Sequence, residues 1–92
     1  MNHISDAAFL TWVANHPDWV REDETIFKTR RSDTFAAAMG FVTGIGVLAD
    51  TADHHPDIDI RYRDVTVALT THSEHALTTK DLELAAAIDA LP

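Results

Sequence analysis

The sequence predicts an α+β fold: a two-layer domain of order αββαββα, with a four-stranded antiparallel sheet covered on one face by three helices. Three observations carry this. Two stretches, 19–30 and 58–71, show strand-like alternation and each reverses direction within a few residues, as hairpins do. The apolar residues between Phe35 and Ala52 recur at helical spacing. A capping pattern at Thr78 opens a third helical segment. Hairpin-linked strands pair antiparallel, and helices with buried faces can share one side of such a sheet.

The elements follow in order. Ser5 suits an N-cap, with Asp6 in the first turn and Phe9, Leu10 and Val13 as the apolar stripe. Asn15-His16-Pro17 ends that helix, because proline cannot continue it and restricts the residue before it. Trp19-Val20-Arg21 reads as a strand, Glu22-Asp23-Glu24 as a turn, and Thr25 to Arg30 as the returning strand. Ser32 or Asp33 is expected to cap the long helix to about Ala52. Phe35, Met39, Val42, Ala49 and Ala52 lie on one side of that helix, and Phe41, Ile45 and Leu48 cover a second. A helix apolar on two sides needs cover on both, so the second side is expected to meet another subunit. Gly40, Gly44 and Gly46 each cost about 1 kcal/mol of helix propensity relative to Ala. Either close helix–helix approach or a break near residue 44 would account for them.

Ile58, Ile60 and Tyr62 alternate on one parity and Val65, Val67 and Leu69 on the other. The flip across Arg63-Asp64 implies a tight turn. One strand is expected to end at Tyr62 and the next to run from about Val65 to Thr71. Thr78 is then an N-cap with Asp81 at the third helical position, a capping box. Leu77 and Leu82 staple it, and Leu82, Ala85, Ile88 and Leu91 form the buried face. Nothing between residues 1 and 92 reads as a linker or repeat, so one domain is expected.

Composition narrows the function. With 15 acidic against 7 basic residues, the net charge of −8 opposes binding to nucleic acid, which needs Lys and Arg to neutralise phosphates. Lys28, Arg30 and Arg31 form the only basic cluster and read as a solvated strand edge able to attract a small anion. The chain has no cysteine, which excludes disulfides and thiolate zinc sites. The longest apolar run, Phe35 to Ala49, is shorter than the roughly 18 residues of a membrane span. The N-terminus shows no secretory pattern. A cytoplasmic protein that does not bind membranes is expected.

Four of the six histidines fall between positions 54 and 75. Imidazole can give or take a proton near neutrality, so acid–base chemistry is the first reading. Asp50 or Asp53 could orient one of these rings. His3, His16 and His75 read as solvated, Tyr62 as packing, and Asp81 first as a helix cap. The spacing of Asp53, His54, His55, His72 and His75 fits no familiar metal motif, so no metal is expected.

The motif His54-His55-Pro56, then Tyr62, Val65, Leu69, Thr71-His72, Leu77-Thr78 and Lys80-Asp81, resembles that of the pterin-4a-carbinolamine dehydratases. The pattern covers roughly the C-terminal half, and the αββαββα order agrees with that family's fold. Ile58 stands where many members carry an aromatic residue, and Ala76 where glycine is common. The resemblance implies dehydration of a 4a-hydroxytetrahydropterin to a quinonoid dihydropterin, with no metal or redox cofactor. His54 and His72 would be the acid–base pair and His55 would position the pterin. Asp50, Asp53, Thr71 and Asp81 are the substrate-binding or orienting candidates. The resemblance further implies a homodimer or homotetramer and a place in recycling the cofactor of an aromatic amino acid hydroxylase. It leaves one alternative, a non-catalytic pterin-binding or protein-interaction module akin to a dimerisation cofactor.

Overall fold

A computed structural model describes residues 2–92. The elements are α1 (Asp6–Val13), β1 (Val20–Glu22), β2 (Thr25–Arg31), α2 (Phe35–Ala52), β3 (Asp57–Arg61), β4 (Asp64–Leu69), a 3₁₀ turn (His72–Glu74) and α3 (Thr79–Asp89). The four strands form one antiparallel sheet in the order β1-β2-β4-β3. Both hairpins and the three-helix count match the expected order.

Register sets which side chains go inward. Ile26 lies opposite Leu69, Lys28 opposite Val67, and Arg30 opposite Val65. Ile26, Val65, Val67 and Leu69 are buried against Phe41 and Ile45 of α2, Leu84, Ala85 and Ile88 of α3, and Phe9 of α1. The alternate residues, among them Thr29 and Thr66, stand on the open face and pair through their hydroxyls at 2.7 Å. Period-two alternation thus yields one dry face and one wet face.

The helix caps explain where the helices begin. Ser5 accepts from the Ala8 N–H. Thr34, rather than Ser32 or Asp33, caps α2 by accepting from the Ala37 N–H, and the Ser32 N–H bonds the Arg63 carbonyl. The Thr78–Asp81 capping box is complete, and Leu77 and Leu82 are both buried.

Several expectations change. Leu10 does not join the α1 stripe and is exposed. Strand β3 ends at Arg61, and Tyr62 occupies the turn with φ of 53° and 68% exposure instead of packing. Strand β4 ends at Leu69, and Thr71 makes only an isolated bridge with Ala76. Helix α2 is continuous. At Gly44 a Cβ would meet the Leu91 side chain at 3.2 Å, so close approach explains this glycine, whereas Gly40 and Gly46 face open space. The inner side of α2 is Ala38, Phe41, Ile45 and Ala49, while Phe35, Met39 and Val47 are exposed. At 18 residues with mean hydropathy 1.5, α2 is also long and apolar enough to cross a membrane by length and composition. Its buried side nevertheless packs on the sheet.

Candidate active site

The C-terminal end of α2 delivers the first two histidines. Asp53 takes the left-handed conformation, φ 49° and ψ 44°, and its N–H caps the helix. The His54 N–H bonds back to the Ala49 carbonyl at 3.1 Å. The chain therefore leaves the helix in a fixed direction, with His54 and His55 directly after the stop and Pro56 leading into β3.

His72 arrives from the other side. It opens the 3₁₀ turn beyond β4 rather than ending a strand. The turn closes on itself: the Thr71 N–H donates to the Ala76 carbonyl at 3.1 Å, and the Glu74 N–H to the Thr71 carbonyl at 3.1 Å. Residues far apart in sequence thus meet. His54, His55 and His72 line one cleft of about 300 Å³ together with Asp53, Thr71 and Lys80. A more apolar groove between α2 and α3, about 330 Å³, shares His54 and Lys80 with it.

Two of the four oxygen-bearing candidates hold histidines of the cleft, Asp81 on His54 and Asp50 on His55, and a third, Thr71, holds Asp81. Asp81 has no exposed side-chain surface, and His54 only 11%. His54 Nε2 lies 2.5 Å from Asp81 Oδ1. The other oxygen, Oδ2, accepts from the Thr78 N–H at 2.9 Å and the Thr71 hydroxyl at 2.8 Å. Thr71 and Thr78 share a further hydroxyl–hydroxyl bond of 2.7 Å. A carboxylate already accepting two hydrogen bonds takes the Nε2–H of His54 as its third. This network assigns the neutral ring as the Nε2–H tautomer and leaves Nδ1 as its free lone pair. Asp81 is therefore both helix cap and histidine partner; its place three residues after Thr78 marks the cap, and no local pattern marks the bond to His54.

Asp50 pairs with the other adjacent histidine: His55 Nε2 to Asp50 Oδ1 is 2.9 Å, with both side chains exposed. Asp53 lies on the cleft but makes no side-chain hydrogen bond to an imidazole among the described residues. The choice between Asp50 and Asp53 thus resolves as Asp50 for His55, with Asp81 serving His54. The His72 ring has no hydrogen-bond partner among the described residues and is exposed. No group of three or more His, Asp or Glu side chains is placed to hold a metal ion among them.

Two residues read as solvated are not. His16 Nδ1 lies 2.8 Å from Asp89 Oδ2, and Lys28 Nζ donates to Asp89 Oδ1 at 2.6 Å. The Trp19 indole N–H donates to the same carboxylate at 3.0 Å. Lys28 is buried because it faces the helices at the register position opposite Val67. Burial alone would raise the Asp89 pKa. The hydrogen bonds from Lys28, His16 and Trp19, with the charge of Lys28, outweigh it and hold the carboxyl below the ordinary carboxylate value.

Fold and cleft together define a small α+β protein that gathers three histidines, one of them braced by a buried aspartate, from a helix end and a loop beyond a strand. The chain belongs to the family described as pterin 4 alpha carbinolamine dehydratase, which matches residues 2–91. A relative from Chloroflexus aurantiacus, named "Putative pterin-4-alpha-carbinolamine dehydratase", is 51% identical over 89 residues, 97% of this chain and 96% of its own. Among solved structures, a transcriptional coactivator/pterin dehydratase from Brucella melitensis superposes with a TM-score of 0.89 at 28% identity, covering 97% of both chains. A pterin dehydratase-like protein identified as a RuBisCO assembly factor in the alpha-carboxysome shares the fold. Its TM-score is 0.65 at 19% identity, over 78% of this chain and 83% of its own.

Proposed function

We propose that this protein dehydrates a 4a-hydroxytetrahydropterin. The observation that carries the reading is the His54–Asp81 pair, whose histidine lines one cleft with His55 and His72 while the aspartate is buried behind it. The reaction breaks the C4a–O bond and removes the N5 proton, giving a C4a=N5 double bond and water. Hydroxide leaves poorly, so a proton must reach it as it departs. His54, as the neutral Nε2–H tautomer, has Nδ1 free to accept the N5 proton. Asp81 then stabilises the imidazolium that forms, as the aspartate of a hydrolytic triad does. His72, which lines the same cleft, protonates the departing hydroxyl as an imidazolium, and His55 positions the pterin. Each proton transfer of this kind contributes about 10²–10⁴-fold. Asp50 orients His55, and Thr71 holds Asp81. The proposal extends to a cytoplasmic homo-oligomer that recycles a tetrahydrobiopterin-type cofactor. The test is to add purified protein to chemically generated 4a-hydroxytetrahydropterin. Acceleration over buffer that is lost in both His54→Ala and His72→Ala supports the reading; folded protein giving no acceleration rejects it.

A second reading rests on α2. Phe35 and Val47 are 50% and 62% exposed and Met39 is 37% exposed, so the outer side of this helix lacks cover among the described residues. On this reading α2 binds a second copy or another protein, and binding is the function. Light scattering at micromolar concentration separates the cases: a strict monomer argues against α2 as an interface. Full rescue of a deletion strain by His54→Ala would make binding, not chemistry, the function.

A further inference from the structure

We infer that Glu24, in the β1–β2 turn, is a positioning residue for His72. Glu24 holds both sides of the neck of the loop that carries this histidine. Its Oε2 accepts the Leu77 N–H at 2.7 Å. Its backbone carbonyl accepts the Thr70 hydroxyl at 2.6 Å. Residues 70 and 77 flank the Thr71–Ala76 bridge that closes the loop. One turn residue therefore fastens both strands of the neck, and His72 is the first residue beyond it.

The fastening is itself braced. Arg21 donates from Nε to the Asp23 carbonyl at 2.7 Å, and its guanidinium lies 3.5 Å from Glu24 Oε1. Asp23 takes a left-handed φ of 53°, which turns the chain so that the Glu24 carbonyl and carboxylate both face the loop. Past the neck, Thr71 binds the carboxylate that holds His54. Hydrogen bonds and the short backbone segments between them thus link Glu24 through the neck to Asp81 and set the backbone position of His72 relative to His54. Two groups that must act on neighbouring atoms of one substrate need that fixed separation. The inference rests on the proposed dehydration for its catalytic meaning, but the clasp can be measured without it.

The experiment compares wild type, Glu24→Ala, Glu24→Gln and Thr70→Val. Hydrogen exchange of the backbone amides of residues 71–77 is read first, with those of α2 as the internal reference. Exchange in Glu24→Ala is expected to quicken about tenfold in the loop only, the scale of one lost charge-assisted hydrogen bond. Steady-state dehydration of the 4a-hydroxytetrahydropterin follows, well below the melting temperature. kcat is expected to fall about tenfold in Glu24→Ala with KM within about twofold. Glu24→Gln, whose side-chain oxygen still accepts the Leu77 N–H, is expected to recover most of both losses, and Thr70→Val to show the same pattern more weakly. Unchanged loop exchange in Glu24→Ala overturns the clasp. Faster exchange with unchanged kcat, or Glu24→Gln no better than Glu24→Ala, overturns the positioning role. A wild type that dehydrates no pterin while the exchange difference stands rejects the proposed reaction and with it the catalytic meaning of the clasp.

Discussion

Helix α3 carries a carboxylate near each end, and each is bonded to a histidine, yet the two clusters differ in kind. Asp81, in the first turn, is held by neutral donors, the Thr71 and Thr78 hydroxyl and amide groups, and its histidine lines a cleft. Asp89, the last residue of the helix, faces Lys28 at 2.6 Å and the Trp19 indole, and its histidine is stacked on Trp12 with ring centroids 4.4 Å apart. A fixed ammonium already neutralises Asp89, so a proton on His16 adds little that the carboxylate needs. Asp81 has no such cation among its bonded partners, so a proton arriving on His54 meets an uncompensated negative charge. A carboxylate–histidine pair becomes useful for proton transfer when the histidine is the only cation the carboxylate can gain. When a lysine is already present, the pair ties the structure together.

This contrast makes predictions in descending order of effect. Asp81→Asn is expected to lower dehydration by at least about a hundredfold. The amide presents a donor or a weaker acceptor to His54 and no longer favours the productive tautomer or its imidazolium. Its stability cost should stay near that of a weakened cap, about 1 kcal/mol. His55→Ala is expected to lose less, about tenfold, because His55 positions the pterin and carries neither of the two proton transfers, each of which contributes about 10²–10⁴-fold.

At the other end of the helix the currency is stability. Asp89→Asn leaves Lys28 buried beside a neutral group and is expected to cost about 3 kcal/mol in denaturant melts, while kcat in the folded fraction is unchanged. A matched loss of activity would show that the two clusters are coupled. The smallest effect is in pH dependence. The folded pKa of Asp89 is depressed below its ordinary value of 3.8. Its contribution is therefore fully present above that value and is lost as pH falls through the lower folded pKa. Acid unfolding followed by circular dichroism should show the wild-type advantage over Asp89→Asn shrinking below about pH 4. A difference independent of pH would contradict this account of Asp89.

Much of the contrast was legible in the sequence on one side and little on the other. Period-two alternation and the Thr78–Asp81 capping box locate both hairpins and α3, and the His54-His55-Pro56 and Thr71-His72 motifs mark the residues that line the cleft. Asp81 was visible as a cap, but its bond to His54 spans 27 positions and has no local signature. The Asp89 cluster was invisible for the same reason: Lys28 reads as one member of a basic strand, and only the register opposite Val67 turns it inward. Tyr62 followed the alternation of its strand, but the turn claimed it. Glu24 read as one of three acidic turn residues, and nothing along the chain ties it to a loop some fifty residues later.

The most direct measurement sets the two carboxylates side by side. Asp81→Asn and Asp89→Asn are assayed on the same 4a-hydroxytetrahydropterin, each at a temperature where the variant is fully folded. The account predicts that the first loses at least about a hundredfold in kcat and the second keeps the wild-type value. Equal activity in the two variants, whether both retained or both lost, would contradict it.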